Sequence, residues 1–391
     1  MRYDVIIVLV YASIFGCNAY EYDQLDSVVK AHNEFTIDAY QELVKIFNGS
    51  NFMVSGLSAE IALSLLANGA RGETQYELLE GLRLPYDIEN VNKAYANITS
   101  RLKINQTRIK LLSANKIYLA QNFLIKNQFH DIAVKIYDAE VQNLDFNNSE
   151  EAADTINDWV DHKTNSRVQD FVDSKTLKSN TKLVLVNALY FAGEWKNPFP
   201  IDNTADLTFH SSPTESKEIS AMHTAAFTKY AYNDKLKAAF LELEFTDGNF
   251  SMTFVLPDKI DGLAAVEKNI AEYLAPQNMK IKEVLITLPK FRMETAINFT
   301  SILESLGITD IFHDADLSGI ADNKLEVSKI DQKTYIDVNE YGAAAAATTA
   351  ISVGNRQKGF QRTFKADHPF LFYIKENDLG EVLFVGRFTS K

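Results

Sequence analysis

The sequence predicts one large domain of the α+β class, with helices concentrated early and strands late. Three observations carry that expectation. Apolar residues recur at helical spacing early in the chain, strand-like alternation dominates later, and no proline-rich, serine-rich or charge-block linker separates the two. The 391 residues are 46% apolar, 23% charged and 11% aromatic, the composition of a folded globular protein. A net charge of −13 argues against a dedicated nucleic-acid binder, which would present a basic face to phosphates.

Residues 1–19 read as a secretory signal. Arg2 supplies the positive start, residues 5–15 form an apolar run too short to span a bilayer, and Cys17-Asn18-Ala19 places small residues before a cleavage site after Ala19. The alternative is an ordinary buried N-terminal helix. Cleavage would remove Cys17, the single cysteine, and leave residues 20–391 without a disulfide or a thiol nucleophile. A secreted chain of this length can build its core without such staples.

An amphipathic helix is expected over 25–47, with Val28, Phe35, Ala39, Leu43 and Ile46 on one stripe. Further helices are expected over 57–68, over 73–81 after Gly69-Ala70-Arg71-Gly72, and over 150–164 with Ile156, Trp159 and Val160 inward. The nearly continuous apolar run 182–191 suits a central strand covered on both faces. Leu241, Leu243 and Phe245 alternate with Glu242 and Glu244. After Asp247-Gly248 the alternation resumes at Phe250, Met252 and Phe254, which reads as a β-hairpin. Strands are also expected over 281–288, 325–338, 369–375 and 381–388.

Signatures of nucleophile elbows, zincins and nucleotide-binding loops are absent, and the seven histidines lack metal-ligand spacing, so no enzyme, metal or cofactor is expected. Arg101, Lys103, Arg108, Lys110 and Lys116 form a basic stretch that could make weak contact with a polyanion, against the alternative of a solvated face. Sequons at Asn48, Asn97, Asn105, Asn147, Asn249 and Asn298 are candidate glycan sites in a secreted chain.

Residues 342–355 carry no charge and contain five consecutive alanines. They could form a helix, a low-complexity linker, or a loop built to enter a sheet. The third reading gains from Thr349, Ile351 and Val353, which alternate with Ala350, Ser352 and Gly354 and, extended backward, put Ala343, Ala345 and Ala347 on one face. Here the residues carry a family resemblance. Val338-Asn339-Glu340-Tyr341-Gly342 and the alanine run resemble the hinge of a serpin reactive-centre loop. The stretch Phe364-Lys365-Ala366-Asp367-His368-Pro369-Phe370-Leu371-Phe372-Tyr373-Ile374 resembles the serpin signature, and the resemblance continues through Gly386-Arg387-Phe388. Asn187 and Trp195 match the central sheet beneath the loop, Asn157 a helix over that sheet, and Ser55 and Ser58 the small polar residues below it. Gly56 stands where proline is usual, Gln332 where a histidine is common, and Ala343 where threonine or serine is common.

The resemblance covers essentially the whole mature chain. It implies a secreted, arthropod-like inhibitory member with three β-sheets, a ring of helices and an exposed loop over 340–363. Such proteins are suicide substrates. A serine protease cuts the loop and forms an acyl-enzyme, and the hinge (Glu340, Gly342, Ala343, Ala344, Ala345, Ala346, Ala347) inserts as a new strand. The bond-forming residue usually lies sixteen positions after the hinge glutamate, which is Arg356, with Gln357 beyond the cut. Lys358 and Arg362 are runner-up sites. An arginine fits a trypsin-like pocket, so the expected partner is a trypsin-like protease in a covalent 1:1 complex with a monomer, with no nucleic acid and no membrane. The rival reading is a non-inhibitory carrier or storage serpin.

Overall fold

Buried apolar stripes decide where the helices lie. This computed structural model describes residues 3–102, 108–343 and 362–390, with side chains from residue 24 onward. Helix α1 (Tyr3–Phe47) turns Val28, Phe35, Ala39 and Leu43 inward. It begins well before residue 25, so the expected signal segment lies along its first half. Ile46 leaves the stripe and is 54% exposed, because at the last turn Phe47 takes the packing place against Phe52, at 5.2 Å. Helix α2 (Gly56–Gly69) is buried nearly all round, and the Ser55 side chain caps it by accepting from Ser58 N. Gly56 has a local cause: a Cβ there would lie 2.0 Å from Thr36 Oγ1 and 2.8 Å from Thr36 Cα on α1.

The expected helix over 73–81 is α3 (Gly72–Gly81). Two helices without counterparts among the expectations follow, α4 (Ile88–Leu102) and α5 (Asn127–Lys135); α4 buries Val91, Tyr95, Ile98 and Leu102 at helical spacing. Helix α6 (Ser149–Lys163) buries Ile156 and Val160 but leaves Trp159 half-buried. Three short helices, α7 (Leu263–Lys268), α8 (Ile270–Leu274) and α9 (Thr300–Ser305), complete the set among the described residues.

The strands are β1 (Phe52–Val54), β2 (Ile109–Ala120), β3 (Ala139–Leu144), β4 (Leu183–Glu194), β5 (Ala205–Ser212), β6 (Glu215–Asn233), β7 (Ala238–Glu244), β8 (Phe250–Pro257), β9 (Lys280–Pro289), β10 (Phe291–Asn298), β11 (Lys329–Asn339), β12 (Gly342–Ala343), β13 (Arg362–Lys365), β14 (Phe370–Glu376) and β15 (Val382–Phe388). One sheet has the order β10-β11-β12-β4-β2-β3. The other nine strands are linked in a second sheet of order β1-β15-β14-β8-β7-β6-β9-β13, in which the long β6 also pairs with β5: its first part meets β5, its middle β9, and its last part β7.

Two strand expectations need adjustment. The strand expected from 325 starts at Lys329, because 325–328 is held by single contacts such as Val327 N to Ile311 O. In the β7–β8 hairpin Glu242 is not an outward residue. The strand is covered on both faces, so Glu242 is buried and its charge is met by Lys229 at 2.7 Å and Lys375 at 2.8 Å.

Candidate functional site

The six-stranded sheet contains a seam. Strands β4 and β11 run parallel and adjacent from Lys329↔Val184 to Tyr335↔Tyr190. Beyond Tyr335 they part, and β12 occupies the gap. It pairs antiparallel to both neighbours, with Ala343 opposite Val338 and Gly193, and Gly342 opposite Asn339 and Glu194. The chain therefore reverses at Glu340 and Tyr341 and re-enters its own sheet, and the first alanine of the uncharged segment is fully buried there. For Gly342 and Ala343, the sheet-entering reading is the observed one. Ala344, Ala345, Ala346, Ala347, Arg356 and Gln357 lie outside the described residues. Arg362 belongs to β13, paired opposite Val284, so the expected loop over 340–363 gives way to sheet at Arg362. A cut after that residue would sever a strand.

Gly342 is required where it stands. Its φ is +155°, and a Cβ would lie 1.9 Å from Gly193 O on β4. Gly342→Val is expected to drive β12 out of the seam and to destabilise the uncleaved protein by about 2 kcal/mol or more. Urea unfolding reads this directly, and an unchanged midpoint would contradict the pairing.

The reversal is fixed by contacts from three elements. The Glu340 carboxylate accepts from Thr204 Oγ1 at 2.6 Å and pairs with Lys290 at 2.8 Å. Burial alone would raise its pKa, but Lys290 and Thr204 hold it below the ordinary carboxylate value. This contribution to stability is present above the ordinary value and lost as pH falls through the lowered one. Trp195 N donates to Tyr341 O at 2.8 Å, Trp195 Nε1 to Asn339 O at 3.0 Å, and Phe199 N to Glu340 O at 2.8 Å. The indole stacks on Phe245, with centroids 4.8 Å apart and planes at 10°.

Lower down, Asn187 and Gln332 face each other across the closed part of the seam. Gln332 Nε2 donates to Asn187 Oδ1 at 2.7 Å and to Ser55 O at 2.8 Å, while Gln332 Oε1 accepts from Ser55 N at 3.0 Å. Asn187 Nδ2 reaches Ser58 O at 3.0 Å, Ser58 Oγ, and Asn115 Oδ1 on β2. The cluster is buried and hydrogen-bonded throughout, so opening the seam must break it. Gln332 offers both a donor and an acceptor, and its amide gives the cluster no titrating ring at this position. Nothing local in the sequence marks Asn115, Lys290, Thr204 or Phe199.

Asn157 is not part of this cluster. It donates to Val172 O at 3.0 Å and accepts from Val172 N at 2.9 Å, so it ties α6 to the segment that follows it. Acids lie near most of the described basic stretch. Lys116 is buried against Glu140 at 3.1 Å, Arg108 is 3.6 Å from Glu194, Arg101 is 3.7 Å from Glu376, and Lys103 lies outside the described residues. Asn48, Asn97, Asn147, Asn249 and Asn298 are exposed, and Asn105 lies outside the described residues.

Comparison with known proteins gives a consistent result. The profile of the family described as "Serpin (serine protease inhibitor)" matches residues 30–391. Human Serpin B11 is 33% identical over 94% of this chain and all of its own length. Serine protease inhibitor 42Dd of Drosophila melanogaster is 35% identical over 90% of this chain and 95% of its own. The crystal structure of Serpin48 from the insect Tenebrio molitor superposes with a TM-score of 0.87 at 38% identity, covering 93% of this chain and 98% of that one. The chain belongs to the serpin family of serine protease inhibitors.

Proposed function

We propose that the protein is a secreted, monomeric suicide-substrate inhibitor of trypsin-like serine proteases, cleaved between Arg356 and Gln357. The observation that carries this reading is the placement of Gly342 and Ala343 as the first rungs of a strand inside the seam, at the head of an uncharged segment. On cleavage, that segment has a started strand to extend. Insertion of about a dozen residues would add on the order of ten backbone hydrogen bonds at ~1 kcal/mol net each, comparable with the stability of a whole domain. The acyl-enzyme is trapped if insertion outruns deacylation, which favours small uncharged side chains. Secretion rests on the pattern of residues 1–19, and glycan attachment on the exposure of the five described sequon asparagines. The identities to insect serpins agree with an arthropod-like member.

The test is to mix the protein with a panel of trypsin-like proteases and look for a covalent 1:1 band that resists SDS, at a stoichiometry near one. Digestion of the loop with full survival of protease activity would instead support a carrier or storage role.

A further inference from the structure

A set of buried ionisable groups lies apart from the seam and has no part in the mechanism above. His32 on α1 is wholly buried, with Nδ1 3.2 Å from Glu60 Oε2 on α2 and Nε2 2.8 Å from Val382 O on β15. Glu381, immediately before β15, is 2% exposed, and its Oε1 has no hydrogen-bond partner among the described residues. The groups that face these three are Tyr95 and Arg101 from α4, Tyr137 after α5, and Glu376 at the end of β14. Arg101 sits 3.7 Å from Glu376 and is partly exposed. Among the described residues, three carboxylates thus meet two cations, one of them a histidine that is charged only when protonated. A water-excluding interior does not tolerate the surplus negative charge, so the site is more stable when it retains a proton.

We propose that the buried set His32, Glu60 and Glu381 retains a proton that helps hold α1 and α2 to the β14–β15 hairpin, tightly in acid and more loosely as pH rises. Burial pushes the Glu381 carboxyl up to about 7 against the pull of His32, and burial likewise raises Glu60. For His32, burial alone would lower the pKa, but Glu60 and Glu381 raise it. The three signs agree. A carboxyl raised in the folded state is destabilised by ionisation, so stability falls as pH climbs from the ordinary carboxylate range toward 7. The contribution of the raised histidine is present below its ordinary value and lost as pH passes its folded value. This hold acts on the helix whose first turn, at Ser58, closes the seam, only two residues from Glu60.

The full chain and its Glu381→Gln and Glu60→Gln variants would be melted at pH 5.5 and pH 8.5. The wild type is expected to lose roughly 2–4 °C more than Glu381→Gln between the two conditions, and the variant to melt above the wild type at pH 8.5. Infrared spectra near pH 6.5 should contain a protonated-carboxyl stretch that Glu381→Gln removes or weakens. If Glu381→Gln fails to fold, Glu60→Gln and the wild-type infrared band carry the same test. Equal pH slopes in wild type and variants, or a wild type without a protonated-carboxyl band, would overturn the proposal.

Discussion

Arg356→Ala is expected to slow association with trypsin about a thousandfold, roughly 4 kcal/mol, while leaving the melting temperature of the uncleaved protein unchanged. A side chain that fills a specificity pocket and meets a carboxylate at its base is a hot spot, because its removal leaves that carboxylate buried and unpaired. Arginine suits the task through its permanent charge and planar fork. The loss belongs in the association rate, since discrimination is a difference in transition-state binding. Arg356 lies thirteen residues beyond Ala343, the last residue described in the seam, so truncating it leaves β12 intact. Arg356→Phe should redirect the protein to chymotrypsin-like enzymes with the same stoichiometry. Mass spectrometry of the released C-terminal fragment should find Gln357 at its start. A start at Gly359 or Thr363 would place the cut after Lys358 or Arg362, and the second would separate Arg362 from the rest of β13.

Much of this architecture was legible because local physics and tertiary position agree. The run 182–191 became the central strand β4, covered on both faces, and the hairpin turn at Asp247-Gly248 sits where Gly248 adopts φ +77°. Local sequence misleads where a neighbour decides. Glu242 looks like a solvent-facing residue in its own strand, and only the approach of Lys229 and Lys375 from β6 and β14 makes it interior. Lys116 belongs to a basic stretch in sequence, but Glu140 and the Trp159 ring, 4.9 Å from its ammonium, enclose it. Ser55, Ser58, Asn187 and Gln332 are legible as a group because a family pattern ties them across the sequence. Asn115, which joins that cluster, and Lys290, which pairs with Glu340, have no such local mark.

Cleavage at Arg356 is expected to raise the melting temperature by well over 10 °C, and Ala345→Arg to abolish that rise. The seam register states why. Continuing β12 from Ala343, opposite Val338 and Gly193, brings Ala345 opposite Ile336 and Phe191, and Thr349 to the level of Gln332 and Asn187. Ile336 and Phe191 are both fully buried, so an arginine at 345 would bring an unpaired charge into an apolar interior, a cost of several kcal/mol. Thr349 instead arrives with a hydroxyl where the separating Asn187–Gln332 pair needs a new partner. About ten new backbone hydrogen bonds at ~1 kcal/mol each, plus the buried alanine and valine surface, make a rise of that size reasonable even for a large domain. The arginine variant should still be cut by trypsin, but slowed insertion lets deacylation win, so protease is released active and the cleaved protein melts near the uncleaved one. Calorimetry of both forms of both proteins decides the matter. A wild type whose midpoint does not move on cleavage would mean that the seam stays shut, and Gly342 and Ala343 would then be a fixed structural plug rather than the start of a strand.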